Sequence, residues 1–535
     1  MYLSDVIKPT DYLNWGDSDI YIQAPTGSGK TYFILNCILP MAMQQRRGIL
    51  ILCNRKNLYQ QYITDISNNT RTRMENGDFS LYYFQLQGLL RVATYQAIAE
   101  STQIDRIIGS YGIIVCDEVH ALYADSHFAT GLYKAFDKLV NWSMGRLMLY
   151  VSATAEHIFP ILYQETCRRF YSACYFQQPD WSRTQSIPGY YRLEEDYTFC
   201  NVRYLEKIQQ IPVLIADDQD PNSKWLIFVS SVREGKAILK GLEELGQEDA
   251  FLLTKDTVMS EKGEKISEQL VSTHTFDCKV LISTLVLEAG VSVCETNVKN
   301  IVDLHYLRET FIQTLGRKRM QENENLNVYI LNRNAQFWAG KQNFCMQILK
   351  EYQTIQGNFR YDLQRHIATR LLAQAGNEVL KTFVYYDDGF RFNGISILKA
   401  EQEKQFYSWI LKMCQEDGHA FIREQLAWMG LESAYSEENW VKDTCDEECS
   451  EALSKCLEKY AGCKPWDKTI FREIRIELTA IIHKHCSDKG FKSDQPAHID
   501  KLNKKFQELH LPYEILKKTV KRKQTYRIER KTEDF

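Results

Sequence analysis

Residues 20–38 read Ile20-Tyr-Ile-Gln-Ala-Pro-Thr-Gly-Ser-Gly-Lys-Thr-Tyr-Phe-Ile-Leu-Asn-Cys-Ile38. The stretch divides into a short apolar strand, a glycine-rich turn and an apolar helical run. Such a turn aims backbone amides inward, and with the N-terminus of the helix it forms an anion site. The lysine suits β and γ phosphates, and the threonine that follows suits Mg²⁺. The predicted phosphate and nucleotide site consists of Ala24, Pro25, Thr26, Gly27, Ser28, Gly29, Lys30 and Thr31.

The same alternation of short apolar runs and longer amphipathic stretches continues through about 340 residues. This rhythm is typical of parallel sheets covered by helices. The apolar runs are Ile20–Ala24, Gly48–Cys53, Ile113–Cys116 and Leu147–Val151, then Trp225–Ser230, Val280–Ser283, Ile301–Leu304 and Val328–Leu331. We predict two α/β domains in tandem, joined within residues 177–188, where prolines and a glycine break the pattern.

The composition excludes several classes of protein. The chain has 535 residues, a net charge of −4, 44% hydrophobic and 25% charged residues, which excludes a collagen-like, mostly disordered or coiled-coil chain. A nucleic-acid site would have to be a local basic patch. The 15 cysteines are scattered, as in a reducing compartment. With no secretory signal and no run of ~20 apolar residues, we expect a soluble, cytoplasmic protein.

After about Arg333 helical patterns dominate, including Phe344–Tyr352, Arg365–Ala375 and Glu401–Met413, with a hairpin that turns at Asp388-Gly389. Residues 432–451 hold eight acidic groups and one lysine, whereas residues 516–531 hold eight basic groups and one glutamate. The tail reads as a helix, His498–Leu509, and two strands around a basic turn, Lys517–Lys523. A winged-helix-like end that meets a phosphate backbone and a solvated basic hairpin both fit this pattern.

Two carboxylates end the apolar strand of Ile113-Ile-Val-Cys-Asp-Glu-Val-His120. Alternation along a strand would point Asp117 and Glu118 in different directions. One carboxylate could then serve Mg²⁺ while the other orients and deprotonates an attacking water. Beside a phosphate loop, this arrangement predicts nucleotide hydrolysis.

The order of segments now resembles the superfamily 2 helicases and translocases of the DExH type, over about residues 18–335. Segments similar to their motifs are Ala24–Thr31 (I), Cys53–Lys56 (Ia), Ala93–Ala97, Asp117–His120 (II), Ser152–Thr154 (III), Ile227–Ser231 (IV), Ser283–Ser292 (V) and Gln313–Arg319 (VI). The resemblance implies two RecA-like domains that hydrolyse ATP with Mg²⁺ while moving along, or unwinding, nucleic acid.

The resemblance also implies roles for individual residues. Thr31 and Asp117 would hold Mg²⁺, and Glu118 would activate water. Arg317 would reach the γ phosphate from the second domain, where a guanidinium stabilises the charge that grows during transfer. Gln313 would orient water or the γ phosphate. Further residues implied at the nucleotide are Gly290 and Arg319.

Three departures from the family pattern matter. Met320 stands where a second arginine is usual, and in a helix Arg319 would point about 100° away from that position. Ser292 replaces an aspartate that often contacts the ribose. No glutamine segment that reads adenine precedes Ile20, so a preference for ATP is an expectation drawn from the family.

The resemblance implies that a strand of nucleic acid binds along both domains. It would be held mainly through its phosphates, without preference for sequence. The implied contacts are Arg55, Thr94, Gln96 and Thr284. Either DNA or RNA fits, and only the winged-type tail favours DNA. Two other function classes stay open. One is a nucleic-acid clamp switched by ATP, and the other is a motor subunit of a larger nuclease or defence complex, with a protein partner bound through the C-terminal region.

Four cysteines near the C-terminus, Cys445, Cys449, Cys456 and Cys463, lack the close paired spacing of common zinc sites. A buried helical stripe explains the first three more simply, so we do not expect zinc. The predicted domains are residues 1–182 and 183–335, both RecA-like α/β, a mainly helical accessory region, 336–465, and a winged-helix-like end, 466–535.

Overall fold

The computed structural model describes residues 2–129, 131–170, 181, 189–284, 292–321, 324–356, 378–387, 389–441, 444–485, 491, 495–509, 511–520 and 523–530. Contacts divide the chain into two compact units, residues 1–439 and 440–535. Among the described helices, none is both long and apolar enough to cross a bilayer.

The first domain is built on a sheet of six parallel strands in the order β3-β2-β4-β5-β1-β6. Its strands are β1 (Asp19–Gln23), β2 (Gly48–Cys53), β3 (Leu90–Thr94), β4 (Tyr111–Asp117), β5 (Leu147–Ser152) and β6 (Tyr190–Arg192). Every residue of β2 is buried, as its unbroken apolar sequence predicts for a central parallel strand. Edge strand β3 is partly exposed and was not among the predicted strands.

Helices cover both faces of this sheet. They are α1 (Leu3–Val6), α2 (Pro9–Tyr12), α3 (Lys30–Phe33), continued by a π-helical turn (Ile34–Ile38), α4 (Leu39–Gln44), α5 (Lys56–Glu75), α6 (Ser80–Leu86), α7 (Tyr95–Glu100), α8 (Thr102–Ile107), α9 (Ala121–Ala124), α10 (Leu132–Trp142) and α11 (Ile158–Phe170). Strand residues alternate between two cores: Leu50 and Leu52 face one, and Ile49 and Ile51 face the other.

The second domain repeats the design with six parallel strands in the order β7-β12-β11-β8-β10-β9. Its strands are β7 (Cys200–Leu205), β8 (Lys224–Phe228), β9 (Ala250–Leu253), β10 (Val280–Ser283), β11 (Val298–Asp303) and β12 (Leu326–Leu331). Its helices are α12 (Gln210–Ala216), α13 (Val232–Glu244), α14 (Glu261–Ser272) and α15 (Arg308–Leu315). The predicted fold of two α/β domains followed by a helical region is confirmed.

The accessory region contacts both α/β domains. It contains α16 (Ala335–Gln356), α17 (Glu378–Phe383), a hairpin of β13 (Val384–Asp387) and β14 (Gly389–Phe392), α18 (Gly394–Glu416) and α19 (Ala420–Trp428). At the start of α18, Ile395 joins a core of the first domain. At the end of α19, the Trp428 ring lies 5.5 Å from the ring of Phe311 on α15.

The C-terminal unit has its own core. It contains α20 (Thr444–Tyr460), α21 (Lys468–His485), α22 (Ile499–Glu508) and a hairpin of β15 (Tyr513–Val520) and β16 (Lys523–Arg530). Residue Trp466, between α20 and α21, also pairs with Tyr526 of β16. Leu453, Leu478, Phe506 and Ile528 bring these elements into one hydrophobic cluster.

Several sequence-based boundaries shift. Strand β6 extends the first sheet past the predicted boundary at 182/183, so the chain leaves that sheet only after Arg192. Helix α20 packs within the C-terminal unit, which begins at Trp440, whereas the predicted boundary was 465/466. Lys517 and Lys518 lie in strand β15, where we expected a turn. The predicted helix Arg365–Ala375 and the turn residue Asp388 lie outside the described residues.

Candidate nucleotide and nucleic-acid site

The phosphate loop lies between the end of β1 and the start of α3. Gly27 and Gly29 adopt φ values of 91° and 81°, in the left-handed region that favours glycine. Lys30 is buried, and its Nζ donates to the carbonyl oxygens of Ala24 at 3.1 Å and Pro25 at 3.3 Å. The loop thus holds its lysine inside its own curve, where a bound polyphosphate would meet the ammonium group.

Glu118 projects from a turn, not from the strand. Strand β4 ends at Asp117, and Glu118 takes a left-handed φ of 49°. We expected strand alternation to point the two carboxylates in different directions. That explanation is wrong, because the turn after β4 sets the direction of Glu118. Its carboxylate lies 3.7 Å from Lys30 Nζ and 3.3 Å from His120 Nδ1. Burial raises the pKa of Glu118, but Lys30, His120 and Arg317 more than offset this, so the pKa falls below its usual range.

Asp117 is held through both carboxylate oxygens. The Tyr62 hydroxyl donates to Oδ2 at 2.7 Å, and the Glu118 amide donates to Oδ1 at 3.0 Å. Burial and the neighbouring Glu118 charge raise the pKa of Asp117 to about 6. Sequence reasoning missed Tyr62, because nothing in its own stretch of α5 distinguishes it from a tyrosine of the hydrophobic core.

Arg317 and Arg319 come from the second domain in an extended segment. Helix α15 ends at Leu315, and Lys318 then bridges in parallel to Val293. Alternation along this bridge directs Lys318 away from the two arginines, into an ion pair with Glu324 at 2.7 Å. The helical geometry that we expected for Arg319 is therefore wrong.

Both arginines reach the first domain. A Cβ atom added at Gly27 would collide with the Arg319 guanidinium, so Arg319 lies directly on the phosphate loop. The Arg317 charge lowers the pKa of Glu118. Burial and the Arg317 charge lower the pKa of Arg319, as expected for two guanidinium groups that share one partly enclosed site.

A chain of polar contacts links the carboxylates to the second domain. His120 Nδ1 lies 3.0 Å from Ser152 Oγ, and Ser152 Oγ donates to the Thr154 carbonyl at 2.9 Å. The Gln313 side-chain amide donates to Thr154 Oγ1 at 2.7 Å. The structure thus places Gln313 on Thr154, at the junction of the domains.

The predicted nucleic-acid contacts lie at the carboxyl ends of their strands. Strands β2 and β3 pair with Cys53 opposite Thr94, which brings Arg55 and Thr94 to one edge of the first sheet. Arg55 forms an ion pair with Asp125 at 2.9 Å, and Thr94 caps α7 by accepting from the Ala97 amide. Gln96 is exposed, and Thr284 follows the end of β10. Gly290 lies outside the described residues.

The cysteines with described side chains are free thiols. Cys449 and Cys456 are buried in the core of the C-terminal unit, and Cys463 is exposed. The side chain of Cys445 lies outside the described part. Within that part, no three or more His, Cys, Asp or Glu side chains cluster in a way that could hold a metal ion.

The donor set suits a nucleotide with Mg²⁺. Thr31 follows Lys30 at the start of α3, and Asp117 ends β4, where the Tyr62 hydroxyl donates to its carboxylate. Hydroxyl and carboxylate oxygens are ligands that Mg²⁺ accepts alongside phosphate oxygens. Lys30, Arg317 and Arg319 supply positive charge around the loop, which fits a bound polyphosphate.

Two family models match the chain. The model described as "Type III restriction enzyme, res subunit" matches residues 5–157, within the first domain. The model described as "Helicase conserved C-terminal domain" matches residues 206–319, within the second. No curated protein matches the chain significantly.

Several solved structures resemble this chain. Cas3 of T. fusca, with AMPPNP, is 16% identical with a TM-score of 0.46, and the match covers 78% of this chain and 53% of that one. Lhr of Mycobacterium smegmatis, bound to ssDNA and AMP-PNP, is 14% identical with a TM-score of 0.40, covering 72% and 58%. S. cerevisiae Dbp5, bound to RNA and ADP BeF3, is 14% identical with a TM-score of 0.38, covering 61% and 82%.

Proposed function

We infer that this chain, whose two matched domains are those of an ATP-dependent nucleic-acid helicase or translocase, belongs to superfamily 2, and we propose a mechanism for it. In this mechanism the nucleotide lies in the cleft between the two α/β domains, with its phosphates on the loop at residues 24–31. The Asp-Glu-Val-His sequence at the end of β4 supports the DExH subtype as part of this proposal.

The observation that carries the mechanism is the position of Arg319 on the phosphate loop, with Arg317 near enough to act on Glu118. Lys30 would bind the β and γ phosphates, and Thr31 and Asp117 would hold Mg²⁺, which when bound would supply Lewis-acid polarisation of the phosphate oxygens. Glu118, whose low pKa keeps its carboxylate ionised, orients the attacking water and accepts its proton. Arg317 and Arg319 then stabilise the charge that grows on the transferred phosphoryl group.

Hydrolysis is coupled to movement because both arginines belong to the second domain. Loss of the γ phosphate removes the charge that holds them against the loop, so the cleft opens and the two domains shift. We propose that Arg55, Thr94, Gln96 and Thr284 hold phosphates of one strand, which makes binding indifferent to sequence. For Arg55, this requires exchange of its Asp125 partner for a phosphate.

DNA is the proposed track, and the support is the basic hairpin of the C-terminal unit. Lys517 and Lys518 of β15 are exposed, as is Arg527 of β16. Exposed lysines and arginines on a β-hairpin suit the closely spaced phosphates of a duplex. The acidic residues 432–451 are a proposed surface for a protein partner, to be tested by co-purification. The proposed location is the cytoplasm, in keeping with the free thiols.

The decisive experiment is the ATPase rate without polymer and with single-stranded DNA, single-stranded RNA or duplex DNA, at low and moderate salt. Strong stimulation by DNA alone supports the proposed track, and stimulation by RNA alone contradicts it. Equal, salt-sensitive stimulation by all polymers would indicate recognition of the backbone alone. An ATPase rate that no polymer changes would contradict the proposed coupling of ATP hydrolysis to nucleic acid.

A clamp switched by ATP makes a different prediction about strand length. A translocating motor completes more cycles per encounter on a longer strand, so its ATPase rate rises with length. A clamp cycles once per binding event, and its rate per strand would not depend on length. Measurement on strands of graded length, at equal concentration of strands, separates these mechanisms.

A further inference from the structure

We propose that Tyr62 is a positioning residue for the metal site: its hydroxyl orients the Asp117 carboxylate toward a divalent cation. The inference rests on the proposed function, because that proposal makes Asp117 a metal ligand. It adds a residue, from a different element, that holds this ligand without being a ligand itself.

The geometry joins two separate elements. Tyr62 lies on α5 and Asp117 at the end of β4. The Tyr62 hydroxyl donates to Asp117 Oδ2 at 2.7 Å, with Tyr62 at 0% and Asp117 at 2% exposure.

The hydrogen bonds to Asp117 fix the direction of its carboxylate. Tyr62 has one hydroxyl proton, and it is committed to Asp117 Oδ2. Oδ1 accepts from the Glu118 amide, so one donor holds each oxygen. Each carboxylate oxygen keeps a second lone pair that can face a cation.

Packing alone does not require this hydroxyl. The Tyr62 ring belongs to the hydrophobic core beneath the sheet, where a phenylalanine ring would fill the same space. A buried hydroxyl is unfavourable unless it is hydrogen-bonded, and here it donates to the carboxylate of a proposed ligand. Burial and the Asp117 charge raise the pKa of Tyr62 well above its usual value, so it stays a neutral donor.

The test compares the affinity of the full chain for ADP with Mg²⁺ and with EDTA, measured by equilibrium binding and without turnover. We expect Tyr62→Phe to reduce the gain in affinity from Mg²⁺ by roughly ten- to a hundredfold, the usual effect of losing a partner of a metal ligand. Affinity in EDTA should stay close to that of the unsubstituted chain, because the phosphate loop is intact.

Tyr95→Phe is the matched control. The Tyr95 hydroxyl is equally buried and donates to the main-chain oxygen of Asp117 at 2.9 Å, so this variant also loses a buried hydrogen bond to the same residue. We expect it to keep the full gain from Mg²⁺. The proposal would be overturned if the gain in ADP affinity from Mg²⁺ in Tyr62→Phe stayed within about twofold of the gain in the original chain. It would also be overturned if both variants lost the same part of that gain.

Failure of the proposed nucleotide site would look different, since the unsubstituted chain would then bind ADP in neither condition. Should Tyr62→Phe not fold, 3-fluorotyrosine at position 62 retains the hydroxyl. Its fluorine resonance should shift when Mg²⁺ is added to the ADP complex, whereas the same label at position 95 should shift less. An unmoved resonance at position 62 would contradict the proposal.

Discussion

The side-chain amide of Gln313 donates a hydrogen bond of 2.7 Å to the hydroxyl of Thr154, and this contact joins the two α/β domains. Both residues are buried. Thr154 also touches Ser152, which contacts His120, and His120 contacts Glu118. An unbroken series of polar contacts therefore runs from the hydrolytic carboxylate to a helix of the second domain.

We expect Gln313→Ala to lower the turnover number of the ATPase more than it lowers nucleotide affinity. Removal of a coupling hydrogen bond of this kind costs about 0.5–2 kcal/mol, or roughly 2- to 30-fold. The measurement is the turnover number at a saturating strand concentration, together with equilibrium ADP binding. Thr154→Ser is the control, because it retains the hydroxyl. A Gln313→Ala variant that loses ADP binding instead would place Gln313 at the nucleotide.

Lys30→Ala and Glu118→Gln should both abolish turnover while the fold survives, but by different steps. Lys30→Ala removes the charge on the phosphates and should lose nucleotide binding. Glu118→Gln should still bind ATP and lose about 10²- to 10⁴-fold in hydrolysis, the usual contribution of a general base. Paired measurements of ATPase rate, ADP affinity and circular dichroism check this. Hydrolysis that persists in Glu118→Gln would contradict the assigned role.

In the segment Arg317–Arg319, substitution of either arginine should reduce catalysis, whereas substitution of Lys318 should reduce stability. Arg317→Ala and Arg319→Ala should reduce turnover by roughly 10³-fold or more if each stabilises the transferred phosphoryl group. Lys318→Ala should instead destabilise the fold by about 3–5 kcal/mol, because its side chain is fully buried in an ion pair with Glu324. Denaturant unfolding and steady-state kinetics separate the two effects. If Lys318→Ala lost activity but kept its full stability, the alternating side-chain directions assigned to residues 317–319 would be wrong.

The ion pair between His157 Nε2 and Glu309 Oε1, at 2.8 Å, joins the first domain to α15 and should depend on pH. Burial would raise the pKa of Glu309, but His157 and Lys399 lower it to about 2. Burial would lower the pKa of His157, but Glu309, Glu156 and Glu403 raise it above its ordinary 6.5.

The directions of these two pKa shifts define the pH range over which the ion pair stabilises the fold. The depressed pKa of Glu309 contributes stability above its ordinary value of 4.5, and this is lost as the pH falls toward the folded value. The raised pKa of His157 contributes stability below 6.5, and this is lost as the pH rises through the folded value. The difference in Tm between the original chain and His157→Asn should therefore shrink above pH 6.5. His274→Asn, at an exposed histidine with a φ of 60°, is the control and should show no such trend.

Charge reversal on the hairpin should weaken nucleic-acid binding. Lys517→Glu with Lys518→Glu should lower duplex affinity and reduce the slope of log K against log salt by about 0.9 for each phosphate that is no longer neutralised. Lys455→Glu with Lys464→Glu makes the same change in charge at positions off the hairpin. Binding titrations over a range of salt concentrations measure both. Equal reductions in affinity for the two double variants would mean that nucleic acid responds to the overall charge of the protein and that the hairpin is not a binding site.

The sequence predicted features whose signal is local. The bounds of β2 could be stated because an unbroken apolar run of six residues admits few other structures in a parallel sheet. Lys30, Asp117 and Glu118 were identifiable because their spacing within short segments matches a phosphate loop and a strand end.

Features that depend on distant partners were not predictable. Tyr62 becomes a site residue only because α5 packs its hydroxyl against Asp117. The direction of Arg319 depends on the pairing of Lys318 with Val293, which no pattern in residues 313–319 reveals. Strand β6 is only three residues long and follows a stretch rich in turn residues, so periodicity could not assign it to the first sheet.

The contacts of the accessory region determine how the chain can be shortened. Ile395 fills part of a core in the first domain, and Trp428 packs on Phe311 of the second. A fragment that stops at residue 335, where the resemblance to helicases ends, would leave both apolar patches open to water. A fragment that ends near Asn439 keeps both patches covered, so calorimetry should show its α/β domains melting at a higher temperature than those of a fragment that ends at residue 335.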